Sequence, residues 1–308
     1  MRIGIFIGSV GSSADLEGQV QQAVDAENDG FDSFWSAQVA GVDALTLFAL
    51  AGQKTKRIQM GTAVVPTFPR HPVALAQQAL TANAAMNGRL NLGIGLSHRP
   101  AVEDRWGLPF ERPALHMQEY LTVLRALVDK GGVEFRGEMF RVNATIDVPS
   151  ASPFPILIAA PAPRMLRIAG ELSEGTVTWM VGPKTLESHI APRINAAAEA
   201  VGRPKPRICA GFPIAVTDDP IAARQQAAEN FVRYGQLPSY RRMLDIEAVE
   251  SPADIAIVGS EDEVESQLRA IADAGATELL ASIFPVGDDE EASVSRTRAL
   301  LKSLIGKI

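Results

Sequence analysis

Strand-like and helix-like stretches alternate along almost the whole chain, and few folds satisfy that pattern. Short apolar runs suited to buried strands fall at 2–8, 33–36, 57–65, 89–94, 155–160, 176–180, 207–216 and 277–284. Helix-like periodicity fills the intervals at 15–28, 43–53, 72–86, 113–128, 164–172, 184–201, 220–234 and 261–274, and a last such stretch, 290–304, closes the chain. Strands that each lead into a helix run parallel and need covering on their outer face. Eight such units in 308 residues predict an α/β fold, a (β/α)8 TIM barrel with insertion segments in its βα loops. A doubly wound open sheet is the alternative. It is weakened because the first βα turn, Gly8-Ser9-Val10-Gly11, lacks the GxGxxG dinucleotide fingerprint. The expected organisation is one domain over 1–308, with an insertion at about 236–258.

Element ends carry their own signals. Asp29-Gly30, Asn87-Gly88 and Ala274-Gly275 each put a glycine where a helix can end in left-handed backbone. Asp43 reads as the N-cap of the helix it precedes, and Ser260 with Glu263 as a capping box. Pro72 and Pro220 suit a first helical turn, where a missing N–H removes no bond. Extra residues lengthen three connections, 99–112, 130–154 and 236–258. The first and last lie where a barrel builds its site and are lid or pocket candidates, whereas 130–154 follows a helix and is expected on the opposite face.

Composition narrows the function classes. Hydrophobic residues make up 46% and charged residues 21%, enough for a sizeable core. A formal net charge of −7 argues against a nucleic-acid partner, which needs a basic footprint. No segment reaches the roughly 18 apolar residues of a membrane span, and the apolar start is too short for a secretory signal. A soluble, cytoplasmic protein with a small-molecule partner is expected. The single cysteine, Cys209, lies in an apolar run and reads as a buried structural thiol. No Cys/His cluster has zinc spacing, so no metal site is expected.

The segment RLNLGIGLSH, 89–98, is the first with chemistry in it: an apolar strand opens through Gly95 into Ser97 and His98. In parallel α/β architectures that carboxyl end of a strand is where ligands sit. His98 suits proton transfer near neutrality, with Ser97 as a hydrogen-bonding neighbour; a satisfied loop histidine is the other reading. His71 reads equally as a helix-start residue or a pocket residue, while His116 and His189 fall within helices and read as structural or solvated. There is no GxSxG elbow for nucleophilic catalysis. The strand ends Gly8, Gln38, Val64-Val65, Ser97-His98, Ala159-Ala160, Trp179-Met180 and Phe284 make an apolar rim with one amide and one imidazole. Such a rim suits a flat, largely uncharged ring. The turn in ILIAAPAPRML offers small residues and Arg164 at a helix N-terminus, either an anion site or an ordinary tight turn. Trp106, Phe110 and Trp179 lie on or near rim loops, and Trp106, Trp179 and Met180 are the substrate-pocket candidates.

Several stretches together resemble the bacterial luciferase-like family, in particular its coenzyme F420-dependent oxidoreductases. They are RIGIFIG at the start, GFDSFW at 30–35, RIQMGTAVVPTFPRHPVALAQQALTANAAMNGRLNLGIG at 57–95, PILIAAPAPRMLRIAGELSEGTVTWM at 155–180 and AIVGSEDEV at 256–264. The resemblance spans nearly the whole chain and rests on order and spacing rather than on one motif. It implies a barrel that binds F420, or alternatively FMN, at its carboxyl face, commonly as a homodimer. It also implies a non-prolyl cis peptide behind the ring, here at Ala63–Val64, and a cofactor phosphate held by Ala159, Ala160, Ala162, Pro163 and Arg164. Gly8 and Gln38 complete the implied cofactor set, Gln38 at the polar edge of the ring.

The chain also departs from the family. Where many F420 enzymes carry Asp-His after GFDSVW, it has Gln38 and Val39. His98 stands where sugar-phosphate dehydrogenase members carry an acidic proton donor, and no lysine follows strand six in Trp179-Met180-Val181-Gly182. These departures point away from a phosphorylated sugar. The expected function is hydride transfer between the deazaflavin and a small, fairly apolar organic substrate, with His98 as proton donor. The alternatives are an FMN-dependent monooxygenase of the same family and an F420-binding protein without turnover.

Overall fold

The computed structural model describes residues 1–8, 14–159 and 161–308. In chain order the strands are β1 (Arg2–Ile7), β2 (Ser33–Ser36), β3 (Gln59–Thr62), β4 (Val65–Pro66), β5 (Leu90–Gly95), β6 (Gly132–Arg136), β7 (Arg141–Thr145), β8 (Ile156–Ile158), β9 (Gly175–Trp179), β10 (Arg207–Val216), β11 (Ile257–Gly259) and β12 (Glu278–Ile283). The helices are α1 (Leu16–Asn28), α2 (Ala44–Lys54), α3 (Pro72–Ala85), α4 (Pro113–Lys130), α5 (Pro163–Leu172), α6 (Pro183–Thr185), α7 (Ala191–Ala200), α8 (Pro220–Gly235), α9 (Pro238–Glu247), α10 (Glu261–Asp273) and α11 (Glu290–Ser303). A π-type turn, Leu186–Ile190, joins α6 to α7.

Parallel pairing runs β12-β1-β2-β3-β5-β8-β9-β10 and returns from β10 to β12, closing the predicted (β/α)8 barrel. The open-sheet alternative is thereby excluded. Its local signals act as expected. Asp43 caps α2 by accepting from Thr46 N–H at 2.9 Å, and the Ser260 N–H donates to Glu263 at 2.8 Å. Gly30, Gly88 and Gly275 take φ of 93°, 78° and 104° just past their helices.

The barrel interior is filled rather than hollow. Phe6, Trp35, Leu157, Val177, Cys209 and Leu280 form an inner cluster, separate from the larger core between strands and helices. Two glycines make room for Trp35: a Cβ on Gly61 would lie 2.3 Å from its ring, and one on Gly4 3.1 Å from it. Burial pushes the Cys209 thiol up to about 12, so it stays protonated, as its structural reading requires. At the amino-terminal end Glu278 is fully buried and meets Arg2 and Arg207. It also accepts from Ser33 Oγ at 2.6 Å and from Trp35 Nε1 at 3.0 Å. Burial opposes its charge, yet the two guanidiniums hold its carboxyl below the usual range.

Two additions break the simple alternation. The antiparallel hairpin β6–β7 departs from the lower end of α4, as expected of 130–154, but its tip climbs back along that helix. Glu119 on α4 accepts from the backbone N–H groups of Glu138, Met139 and Phe140 at 2.9–3.0 Å. Residues 236–258, expected as an insertion, contain α9. The short strand β11 then pairs with the end of β10.

Candidate active site at the barrel mouth

The mouth is shaped by an interruption in the third barrel strand. Pairing stops at Thr62, the Ala63–Val64 peptide is cis as the resemblance implied, and β4 resumes beside β5. Thr62 spans the gap: its hydroxyl donates to the Gly93 carbonyl at 2.7 Å and accepts from Gly93 N–H at 2.9 Å. The two glycines of β5 accommodate this bulge. A Cβ on Gly93 would sit 2.0 Å from the Thr62 carbonyl oxygen, and one on Gly95 2.7 Å from a Val64 methyl. Gly93 and Gly95 therefore serve the strand beside them and not a dinucleotide. Ala37, Ala63 and Val64 pack on the inner cluster beside Trp179, giving a floor of small apolar groups. Gly8 ends β1 with φ 81°, and its α-carbon faces Ala37.

Beyond β5 the chain turns sharply at Ser97, φ 61°, and His98 follows half-buried. The loop folds back on it, Val102 N–H donating to the His98 carbonyl at 3.0 Å. Arg99 closes the loop by lying 5.1 Å above the Phe110 ring. Trp106 stands half-buried just past the π-type turn Ala101–Arg105. The His98 ring makes no hydrogen bond among the described residues. Burial and the nearby Arg233 guanidinium both lower its pKa, so the neutral imidazole dominates at neutral pH.

From the strand-end candidate Trp179 a run of rings leads to His98, through helix residues that strand-end reasoning missed. Phe6 meets Trp179 edge-on at 5.2 Å, and Trp179 meets Phe231 at 6.0 Å and Tyr234 at 6.1 Å, both on α8. Tyr234 meets Tyr240 of α9 at 5.0 Å, and Tyr240 meets His98 at 5.8 Å. Trp179 Nε1 is buried without a hydrogen-bond partner among the described residues. The indole still acts on Tyr234, whose phenol burial raises while Arg233 and Trp179 lower it. Gly211 leaves space for Trp179, since a Cβ there would lie 2.8 Å from the indole. Phe231, Tyr234 and Tyr240 lie outside the strand ends, and the one available signal was the length of 236–258.

The turn after β8 leaves backbone donors open. Ala162 caps α5 with no side-chain hydrogen bond, leaving the first-turn N–H groups of Arg164 and Met165 to outside acceptors. Ala159 packs where a Cβ on Gly95 would touch it at 3.3 Å, and Ala160 lies outside the described residues. His189, buried in the π-type turn, donates from Nε2 to the Pro161 carbonyl at 2.8 Å and so fixes the same turn. The Arg164 side chain does not join it. With Pro163 it lines a groove of about 420 Å³ between α4 and α5.

The remaining candidates divide. Gln38 gives its amide oxygen to the Ala44 N–H at 2.7 Å, so only its amide N–H groups are left for a ring edge. Met180 is 1% exposed and packs in the larger core cluster, following Trp179 with φ 52°. His71 caps α3, its Nδ1 accepting from Val73 N–H at 3.3 Å. His116 is a core residue, stacked 4.1 Å from Phe68 and bonded to Thr67 Oγ1 at 3.1 Å, and burial drives its pKa down to about 4. Among the described residues no group of three or more His, Cys, Asp or Glu side chains could hold a metal, and no helix is long and apolar enough to cross a membrane.

A family model described as luciferase-like monooxygenase matches residues 1–300. The chain is 29% identical over 245 residues to a putative coenzyme F420-dependent oxidoreductase of Mycobacterium tuberculosis, covering 72% of this chain and 69% of that one. A monooxygenase from Streptomyces bottropensis superposes with a TM-score of 0.80 at 21% identity over 98% of both chains. An F420-dependent secondary alcohol dehydrogenase, solved with an F420–acetone adduct, also gives 0.80, at 19% identity over 99% of this chain and 98% of that one. At these identities the two solved structures establish likeness of fold.

Proposed function

Because the chain belongs to the luciferase-like monooxygenase family, whose model spans residues 1–300, we propose that it is an F420-dependent oxidoreductase acting on a small, fairly apolar alcohol or carbonyl compound. The reading is carried by one observation: His98, half-buried and with no ring hydrogen bond among the described residues, follows β5, the strand whose Gly95 lies against Val64 of the small apolar floor. The donor set suits the cofactor. Small side chains at Gly8, Ala37, Ala63 and Val64 leave room for a flat ring, and the Gln38 amide N–H groups reach for its polar edge. The uncapped start of α5 would hold the cofactor phosphate, with Ala159, Ala160, Ala162, Pro163 and the backbone of Arg164 as the residues proposed for it. When bound, the deazaflavin supplies a ring carbon that accepts or releases a hydride.

The protein's own part is proton handling and exclusion of water. A neutral imidazole accepts the hydroxyl proton of an alcohol as its carbon loses hydride, and returns that proton in the reverse direction. The lowered His98 pKa favours the accepting role at neutral pH. Ser97, in the left-handed turn, sets the direction in which His98 leaves the strand and offers a hydroxyl beside it. Trp106 and Trp179 bound the substrate space.

Fluorescence titration with F420 and with FMN, followed by turnover of alcohols and carbonyls, tests the reading. F420 binding with turnover is expected, and His98→Ala should lower turnover by about 10²–10⁴ without loosening the cofactor. Tight FMN binding with oxygen consumption would replace this reading with a monooxygenase. F420 binding with no turnover across the panel would leave a cofactor-binding protein.

A further inference from the structure

The chemistry above uses one side of the mouth, and the other side is aromatic. Trp179, Tyr234, Tyr240 and His98 form an unbroken series of ring contacts at 5.0–6.1 Å. Tyr234 and Tyr240 are half-buried where α8 and α9 meet the His98 loop. The series ends on the His98 ring, which makes no hydrogen bond among the described residues, and includes the buried donor Trp179 Nε1, which acts on Tyr234. Apolar ring faces combined with the His98 imidazole fit a ligand that is mostly hydrocarbon with one oxygen function.

α9 is anchored so that Tyr240 stays in place. Glu247 at its end accepts from Thr185 N–H at 2.7 Å, Thr185 Oγ1 at 2.6 Å and Lys184 N–H at 3.2 Å. Arg241 on the same helix donates to the carbonyls of Val249 and Glu250. The Glu247 contacts have a second effect. They fill the N-terminus of the helix that follows the Trp179 strand with the protein's own carboxylate. An anionic substrate group finds those donors already taken.

We propose that Tyr240 determines specificity by stacking on the substrate, and that the substrate is an uncharged cyclic alcohol or ketone. This rests on the oxidoreductase reading for turnover but not for binding, so the two fail separately. Binding of cyclohexanone, hexan-3-one and cyclohexanecarboxylate to the full chain is measured by saturation-transfer NMR, then turnover of the neutral pair with F420. Cyclohexanone should bind about tenfold more tightly than hexan-3-one, the value of a good aromatic contact, and the carboxylate should bind worst. Tyr240→Phe should keep the ring preference and Tyr240→Ala should abolish it, with Tyr240→Leu as a second variant if the alanine chain fails to fold. Equal binding of ring and chain ketones, tighter binding of the carboxylate, or a preference unchanged by removing the Tyr240 ring would each overturn the proposal. Ring-selective binding without F420 turnover would refute the oxidoreductase reading alone.

Discussion

Gly93→Ala should damage this protein far more than Gly95→Ala, although the two glycines are two residues apart on the same strand. The new Cβ at position 93 would sit 2.0 Å from the Thr62 carbonyl oxygen and 3.1 Å from a Val64 methyl. Backbone on both sides must move by more than an ångström, which costs about 1–3 kcal/mol as overpacking. That movement also breaks the two hydrogen bonds between Thr62 Oγ1 and Gly93, roughly 1 kcal/mol each. Alanine recovers about 0.5–1 kcal/mol through the unfolded chain, leaving a net loss of about 2–4 kcal/mol. At position 95 the clash is 2.7 Å from the far end of the Val64 side chain, which can rotate away for about 0.5–1.5 kcal/mol. Urea unfolding followed by tryptophan fluorescence reads the difference. At a slope of about 3 kcal/mol per molar, Gly93→Ala should lower the midpoint by roughly 1 M, and Gly95→Ala by a small fraction of that. Gly95→Ala should instead weaken cofactor binding, because it displaces Val64 from the floor. A Gly93→Ala chain as stable as the parent, or one more stable than Gly95→Ala, would refute the assignment of these glycines to the bulge.

Other expectations follow from charge and burial. Since His98 is held below its ordinary pKa by burial and by Arg233, alcohol oxidation should lose rate only as pH falls below about 6.5; Arg233→Ala should move that limb to higher pH in a kcat/KM profile. Glu278→Gln should destabilise the chain by about 3–5 kcal/mol, as it leaves Arg207 and Arg2 facing a neutral amide. Its lowered pKa means that the parent keeps this stabilisation above the unfolded carboxylate value and loses it as pH falls through the folded one. Stability of Glu278→Gln should therefore converge on that of the parent only as pH falls below the lowered folded value, in denaturant titrations. His116 acts over a different window: neutral when folded down to about 4, it should make stability decline as pH falls from 6.5. His116→Gln should flatten that slope, and an unchanged slope would place the titration elsewhere.

The barrel was legible because its signals are local. Apolar runs, caps at Asp43 and Ser260, and glycines at 30, 88 and 275 each report on a few neighbouring residues. The hairpin β6–β7 was harder, because its strands are half-exposed and its turn is held from outside by Glu119 on α4. In the site, His98 and the Ala63–Val64 floor could be found at strand ends, where barrels place ligand groups. Tyr234, Tyr240 and Glu247 could not, since they reach the mouth from helices whose packing is a tertiary fact. The left-handed backbone at Met180 and the groove that the Arg164 side chain lines are likewise tertiary facts with no local signal in the sequence.

The buried charges at the amino-terminal end and the packed rings above them make the barrel a blind tube rather than a channel. Whatever binds must come and go through the carboxyl face. If the cofactor lies on the Ala63–Val64 floor as proposed, the substrate would sit between it and solvent, and molecules would leave in reverse order of arrival. Steady-state kinetics should accordingly be ordered, with cofactor first in and last out, and an unreactive cyclic ketone should slow the escape of a cofactor already bound.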